Sequence, residues 1–351
     1  MPTLFDPLTL GKIVLPNRII MAPMTRSRAN TDGVIGELTA TYYTQRASAG
    51  LLITEGTIPS AMGKGYVRIP GIYSSAQIAG WKLVTEAVHA AGGHIFLQIM
   101  HCGRIAHPQL LPGGAQAVAP SAILPNVKTW IDGVGMLPLE TPRALESDEI
   151  PGIIEEFRQA TVNALAAGFD GVELHAASGY LPMQFLSSGT NQRSDEYGGS
   201  VVKRCRFVVE ALTAMVSVAG ADKVGIKISP AMPFNDMADD NPVETYSTLV
   251  NAISGLGLAY LHVAQTVPTP DFHVMLRPLF TGPYLAGAGL TKETATALLA
   301  SGQADAAVFG TAFIANPDLP ARFASDAPLA TPDASTFYTP GAQGYTDYLP
   351  K

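Results

Sequence analysis

Eight short apolar runs recur along the chain, and each is followed by a stretch in which apolar residues have helical spacing. The runs are nearly continuous rather than alternating, as a strand buried on both faces of a parallel sheet requires. The pattern predicts parallel strands at Arg18–Met24, Leu51–Thr57, His94–Ile99, Gly171–His175, Val224–Ser229, Ala259–Ala264, Tyr284–Ala286 and Ala306–Gly310.

Helices are predicted between the strands, at Gly36–Ser48, Ser75–Ala91, Ile150–Ala167, Val201–Val218, Val243–Ser254, Lys292–Ala300 and Leu319–Phe323. Gly92 and Gly168 directly follow two of these helices, at the position where glycine commonly ends a helix. The regular alternation of strands and helices predicts an α/β fold, a (β/α)8 TIM barrel. An open doubly wound sheet remains the alternative, although no GxGxxG motif opens a helix to support a dinucleotide-binding fold.

One connection is unusually long and rich in proline and glycine, and it runs from Gly103 to about Glu146 after the third strand. Loops of this length usually cover a functional face, so we expect a lid above the carboxyl end of that strand. No stretch with the composition of a linker divides the chain. We therefore expect a single barrel domain over residues 1–351, with an N-terminal cap at about 1–17 and the insertion at about 103–146.

The composition fits a globular protein with a large core, since 47% of the 351 residues are apolar and 15% are charged. The net charge is −7 and no run of lysine or arginine occurs, which argues against binding to nucleic acid. Polar residues and prolines break the longest uncharged stretch, Tyr246 to Pro270, and no signal peptide is visible. We expect a cytoplasmic monomer or homodimer with a small-molecule substrate and no membrane partner.

Candidate chemistry follows the fourth predicted strand, where His175, Ser178 and Tyr180 lie within six residues. Hydrogen-bond donors that converge at the carboxyl end of a barrel strand suit a substrate carbonyl or phenolate, whose negative charge they stabilise. A tyrosine hydroxyl nearby is able to deliver a proton to carbon. The alternative is purely structural, with His175 in the core and Tyr180 packed under the loop.

Two turns after the last strands, Ala286–Gly289 and Phe309–Thr311, consist of small residues and precede helical stretches. Such turns let backbone N–H groups approach a phosphate, and barrels favour a phosphate site after strands seven and eight. Ordinary connections between strands and helices also need glycine, so a structural interpretation stays open.

A metal site is not expected. His101, Cys102 and His107 lie close in sequence but lack the paired spacing of zinc ligands, and no HExxH motif occurs. A single histidine in a loop more often forms hydrogen bonds or packs. Cys102 and Cys205 stand far apart and form no CxxC pair, so no disulfide framework is expected.

Ten ordered segments carry a likeness to a known family: LFDPLTLG, NRIIMAPMTRSRA, YYTQRASAGLLITEGT, GIYSSAQIAGWK, VHAAGGHIFLQIMHCGR, AVAPSAI, AAGFDGVELHAASGYLPMQFLS, NQRSDEYGGS, FIANPDLPARF and TFYTPGAQGYTDY. In these segments the chain resembles the Old Yellow Enzyme family, from about Leu4 to Tyr348. The resemblance implies an FMN-containing barrel that takes hydride from NADH or NADPH. It also implies transfer of that hydride to the β-carbon of an alkene conjugated to a carbonyl or nitro group.

The resemblance assigns cofactor contacts to several residues. Pro23, Met24 and Thr25 match the turn that contacts the flavin, with Thr25 bonded to flavin O4. Gly56 matches the small residue that lets the ring system approach, and Gln98 matches the amide that binds its pyrimidine edge.

The resemblance also assigns substrate contacts. His175 matches the first member of the family's substrate-binding pair, Tyr180 its proton donor, and Tyr338 an aromatic residue over the site. Ser178 stands where the family usually has asparagine or histidine, and remains a hydrogen-bond donor.

Further departures concern the cofactor. Lys227 stands where strand five usually supplies an arginine near flavin N1 and O2. At the phosphate, Thr311 replaces an arginine and Ala288 a glycine, which leaves the backbone N–H groups of Ala288, Gly289 and Gly310 as the expected donors. Each lost charged contact weakens cofactor binding by roughly 1.5–3 kcal/mol.

Our hypothesis is an FMN-dependent ene-reductase in which His175 and Ser178 bind the carbonyl and Tyr180 protonates the α-carbon. An alternative is a redox-neutral isomerase or cyclase with weakened or lost FMN binding, because the flavin-anchoring arginines are replaced. A third possibility is a ligand-binding protein without catalytic activity.

Overall fold

A computed structural model describes residues 1–350 and shows a closed barrel of eight parallel strands. Each strand pairs with its neighbours in chain order, and the last strand closes onto the first. The (β/α)8 prediction is confirmed, and the open doubly wound sheet is excluded. The strands are β1 (Ile19–Met21), β2 (Leu51–Ile53), β3 (Ile95–Ile99), β4 (Gly171–Ala176), β5 (Val224–Ile228), β6 (Tyr260–Ala264), β7 (Tyr284–Gly287) and β8 (Ala306–Phe309).

Ten α-helices occur in the described part of the chain, and all seven predicted helices are among them, Lys292–Ala300 with the predicted bounds and the other six with shifted ends. Gly92 and Gly168 follow the second and third of these helices with φ angles of +79° and +88°, as expected of glycines that end helices. No helix within residues 1–350 is long and apolar enough to cross a membrane. The helices are α1 (Glu37–Thr44), α2 (Ser75–Ala90), α3 (Ile150–Ala166), α4 (Leu181–Leu186), α5 (Val201–Ala219), α6 (Pro242–Ser254), α7 (Phe272–Leu276), α8 (Lys292–Ala300), α9 (Thr311–Ala315) and α10 (Leu319–Ala324).

The amino-terminal end of the barrel is filled with apolar side chains. A hairpin of Leu8–Leu10 and Ile13–Leu15 lies there, and its Leu10 and Leu15 are buried. They pack in one cluster with buried side chains of the barrel interior, which include Ile20, Leu51, Ile53, Phe96, Tyr260 and Leu285. The barrel interior is therefore apolar at this end.

The insertion after β3 contains regular structure of its own. Val118–Ala119 pairs with Arg143–Ala144, and Lys128–Ile131 forms an antiparallel hairpin with Gly135–Pro138. The Thr129 hydroxyl donates a hydrogen bond to the Gly65 carbonyl at 3.2 Å, which fixes this hairpin to the connection after β2.

Candidate active site

A cavity of about 850 Å³ lies at the carboxyl end of the barrel. Strand ends, the insertion hairpin and the C-terminal segment all contribute side chains to its walls. The structure brings together nine of the residues proposed from the sequence, namely Pro23, Thr25, Gly56, Gln98, His175, Ser178, Tyr180, Lys227 and Tyr338.

The remaining residues proposed for the cofactor do not line this cavity. Ala288 and Gly289 follow β7, and Gly310 and Thr311 follow the adjacent β8, so the two turns are neighbours. Met24 stands in sequence between the cavity residues Pro23 and Thr25, and its sulfur would be 3.5 Å from a Cβ atom on Gly310. This group lies beside the cavity rather than in its wall.

His175 lies in β4 directly beside Lys227 of β5 in the strand register, and only 4% of it is exposed. Burial lowers the pKa of His175 well below its usual value, and the charges of Lys227 and His262 lower it further. The imidazole is therefore neutral at neutral pH. Its buried Nδ1 has no hydrogen-bond partner among the described residues.

Tyr180 packs edge to face on the His175 ring, and its hydroxyl donates a hydrogen bond to the Tyr66 hydroxyl at 3.1 Å. Burial raises the pKa of Tyr180 well above 10, and the neighbouring Tyr66 adds to this increase. The phenol therefore keeps its proton at neutral pH, as a proton donor must.

Ser178 occupies a sharp turn between β4 and α4, where its backbone has the left-handed φ of +55°. The turn is fixed on both sides, because the Ser178 N–H donates to Ser229 Oγ at 2.8 Å and its carbonyl accepts from Asn235 Nδ2 at 2.8 Å. Next to it, a Cβ atom on Gly179 would lie 2.7 Å from the Asn235 Cβ. Only glycine fits there, and the turn holds the Ser178 side chain at the cavity wall.

A buried polar cluster crosses the barrel interior beneath the cavity. Gln98 Nε2 donates to Glu173 Oε1 at 2.7 Å, and the other Glu173 oxygen lies 3.0 Å from His262 Nδ1. Glu173 is fully buried and was not proposed from the sequence. Its position two residues before His175 placed it on the inward face of the same strand, and this spacing was the available signal.

Lys227 reaches the same region from β5. Burial lowers its pKa, while the negative charge of Glu173 acts in the opposite direction. Within residues 1–350 the Lys227 ammonium, the Thr25 hydroxyl and the Gln98 side-chain oxygen make no hydrogen bond to protein, and all three residues line the cavity.

These uncommitted groups fit the pyrimidine edge of a flavin, which carries carbonyl oxygens and an N–H group. They supply a cation, a hydroxyl and a carbonyl acceptor on one cavity surface. Gly56 adds a wall without a side chain, since a Cβ atom there would lie 2.5 Å from the Met100 sulfur. The residues present are therefore compatible with bound FMN.

The mouth of the cavity is apolar and was largely missed from the sequence. Trp130 and Met136 of the insertion hairpin, Phe234 and Tyr338 are each more than half exposed. Only the proline and glycine content of the insertion had indicated a covering role. Lining residues without a sequence signal include Ser27, Tyr66, Arg68, Thr129, Asp132, Ser335, Thr339 and Pro340.

His101 and Cys102, which follow β3, are buried and have structural rather than metal-binding contacts. His101 is fully buried, its Nδ1 accepts from the Gly103 N–H at 3.1 Å, and burial lowers its pKa to about 4. Cys102 is buried among apolar side chains, and burial raises its pKa above the usual value. In residues 1–350 no three histidine, cysteine or carboxylate side chains form a group able to hold a metal ion.

Comparisons with known proteins show similarity along nearly the whole chain. Residues 3–330 match the sequence pattern of the NADH:flavin oxidoreductase / NADH oxidase family. The rice (Oryza sativa subsp. japonica) protein 12-oxophytodienoate reductase 7 is 42% identical, over 98% of this chain and 94% of its own. A probable flavin mononucleotide-dependent alkene reductase of Leishmania infantum is 40% identical, over 98% and 96% of the two chains. The structure of morphinone reductase in complex with tetrahydroNAD is 48% identical with a TM-score of 0.95, over 99% and 97% of the two chains.

Proposed function

The chain belongs to the NADH:flavin oxidoreductase / NADH oxidase family, and from this premise we propose how its cavity works. The protein is an FMN-dependent ene-reductase that uses a reduced nicotinamide cofactor, NADH or NADPH, to reduce activated C=C bonds of unsaturated carbonyl or nitro compounds. When bound, FMN supplies the hydride for this reduction. One observation carries the proposal: donors suited to an oxyanion share a cavity with uncommitted groups suited to a flavin edge.

Three side chains hold the cofactor's pyrimidine edge in this proposal: Thr25, Gln98 and Lys227. The Lys227 ammonium would stabilise negative charge at this edge of the bound cofactor, and its low-dielectric surroundings would strengthen the effect. Pro23 and Gly56 form the adjoining wall, with Met24 beside it. The turns that contain Ala288, Gly289, Gly310 and Thr311 would hold the phosphate.

The substrate oxygen accepts hydrogen bonds from His175 and Ser178. Both donors are held in place, His175 by its strand and Ser178 by its doubly bonded turn, so they need little reorganisation as negative charge develops. Tyr180 delivers the proton to the α-carbon, because its phenol is protonated and lies against the His175 ring. Tyr338 covers the outer part of the substrate.

We further propose that the insertion over residues 103–146 is a lid. Its hairpin supplies Lys128, Thr129, Trp130, Asp132 and Met136 to the cavity wall. A cover of this kind would exclude water from the reacting groups and strengthen the hydrogen bonds that they make.

Two measurements test the function. The purified protein should absorb in the flavin band, bleach on addition of NADPH, and recover its colour when 2-cyclohexenone is added. Its product should be cyclohexanone, formed in equal amount to the NADPH consumed. A colourless preparation that stays inactive after FMN is added would contradict the proposal.

The redox-neutral alternative is not favoured, because the relatives above are named reductases. Conversion of an enone-like substrate with no NADPH consumed would instead support an isomerase or cyclase. If the protein only bound ligands, phenols and enones would bind to it, but no enone would be converted to product.

A further inference from the structure

The segment Ser335–Gly344, here the C-terminal arm, forms part of the cavity wall without belonging to the barrel. Ser335, Tyr338, Thr339 and Pro340 line the cavity. Beyond one short 3-10 turn the arm has no helix or strand, and its backbone hydrogen bonds stay local. Backbone carbonyls that no secondary structure satisfies need other donors.

Three arginine side chains provide these donors. Arg28 donates to the carbonyls of Phe337, Thr336 and Gln343 at 2.6, 2.8 and 3.0 Å, and to Gly341 at 3.3 Å. Burial lowers the Arg28 pKa to about 10, which still leaves the guanidinium charged at neutral pH. These are therefore charge-assisted hydrogen bonds, which are shorter and stronger than neutral ones.

Arg26 and Arg68 add three more bonds to the arm. Arg26 donates to the Phe337 and Gly344 carbonyls at 3.2 and 2.8 Å, and Arg68 donates to the Tyr338 carbonyl at 3.0 Å. Arg26 is nearly fully buried and also donates a hydrogen bond to the Tyr42 hydroxyl, so it stabilises the core as well as the arm. Arg28 is only partly buried, and apart from the Arg26 carbonyl its hydrogen bonds go to the arm.

Arg26 and Arg28 alternate with cavity residues along one turn of the chain. Thr25 and Ser27 line the cavity, whereas Arg26 and Arg28 bond the arm. The turn that we propose as a cofactor contact thus also sets the position of the wall that carries Tyr338.

We propose that Arg28 is a positioning residue that holds the C-terminal arm over the cavity mouth and thereby determines which bulky alkenes are accepted. This rests on the proposed function. Tyr338 and Pro340 of the arm, together with Trp130, Met136 and Phe234, form the apolar mouth. A large apolar substituent remote from the reacting carbonyl would lie there, whereas a small enone would need only His175 and Ser178.

Steady-state kinetics of Arg28→Met with two alkenes test the proposal. For 4-phenylcyclohex-2-enone we expect KM to rise about ten-fold or more, because a displaced arm forfeits contacts worth ~1.5 kcal/mol or more. The kcat for both alkenes and the KM for 2-cyclohexenone should stay within about two-fold. Arg28→Lys should give an intermediate KM, because a lysine keeps the charge but cannot reach several carbonyls at once.

Two further measurements separate positioning from loss of stability. Hydrogen exchange should speed up in peptides that contain Ser335–Gly344 but not in peptides from the barrel strands. Arg158→Met is the matched control, since among residues 1–350 the Arg158 side chain pairs only with Glu155, on the surface of α3. An equal change of KM for both alkenes, or an unchanged KM for 4-phenylcyclohex-2-enone, would overturn the proposal.

Failure of the proposed function would look different, because wild-type protein would then turn over neither alkene. The arm is then tested by calorimetric binding of 4-phenylphenol and phenol. Arg28→Met should weaken the former about ten-fold and leave the latter unchanged. Equal effects on the two phenols would contradict the role of Arg28.

Discussion

The His175 imidazole and the Tyr180 phenol meet edge to face, with ring centroids 4.8 Å apart and planes at 77°. The arrangement keeps a neutral donor and a protonated phenol side by side, because burial acts on both rings in the direction that disfavours charge. One side chain is thus prepared to bind an oxygen, and the other to release a proton to the neighbouring carbon.

Replacement of His175 by alanine should weaken the binding of phenolic ligands. A buried oxyanion loses a charged hydrogen bond, which corresponds to about ten- to 150-fold in dissociation constant. Titration calorimetry with phenol measures the change. Unchanged affinity would show that His175 does not contact the ligand.

Tyr180→Phe should slow alkene reduction by roughly two to four orders of magnitude, because the proton donor is lost while the ring packing remains. Reduction of the flavin by NADPH should keep its rate, since no proton to carbon is needed there. Rapid-mixing absorbance measurements separate the two half-reactions. Tyr66→Phe is the matched variant: it removes the hydrogen-bond partner but not the donor, so it should have the smaller effect. Equal losses in both half-reactions of Tyr180→Phe would argue against the proton-donor role.

Thr311→Arg should tighten FMN binding. Thr311 is exposed at the start of α9 and offers only a hydroxyl, whereas a guanidinium adds a charged hydrogen bond to the phosphate. The expected gain is roughly one to two decades in dissociation constant, measured by flavin fluorescence at fixed ionic strength. Thr213→Arg on the exposed face of α5 is the control. Equal affinity of both variants would place the phosphate elsewhere.

Glu55 should make stability depend on pH. Burial raises its pKa to about 7 from 4.5, although its carboxylate accepts the Arg26 N–H at 3.1 Å. Because the folded state binds this proton more tightly, the contribution of Glu55 to stability is full below pH 4.5 and is lost as pH rises through about 7. Glu55→Gln should therefore raise the free energy of unfolding at pH 8 by at most about 3 kcal/mol, and leave it unchanged at pH 4. The melting temperature should rise at pH 8 only. Thermal unfolding of Glu55→Gln and of the surface variant Glu37→Gln across this pH range checks the prediction. Identical dependence of melting temperature on pH in the two variants would refute it.

The barrel strands were predictable because burial on both faces leaves a continuous apolar run, as in Gly171–His175, which the structure extends by one residue. Helix α7 was missed because Phe272–Leu276 is only five residues long and follows Pro268 and Pro270. Short helices of this kind are fixed by tertiary contacts rather than by periodicity.

Some residues of the candidate site were likewise predictable from the sequence, and others were not. Residues at strand ends, such as Gln98 and His175, were predictable because barrel geometry brings strand ends together. Arg28 and Arg68 were not, because their role depends on carbonyls about 270 to 310 positions away along the chain, as the separations within the Arg28–Thr336 and Arg68–Tyr338 pairs show. No local pattern encodes such a pairing.

The filled amino-terminal end of the barrel has a kinetic consequence. Leu10 and Leu15 close that end within the described chain, so we expect both reactants to share the cavity at the carboxyl end, which the arm and the insertion hairpin border. The oxidised nicotinamide must then leave before the alkene enters. Initial-rate plots should show parallel double-reciprocal lines, and a high concentration of alkene should inhibit competitively against NADPH. Intersecting lines would mean that both reactants are bound at once.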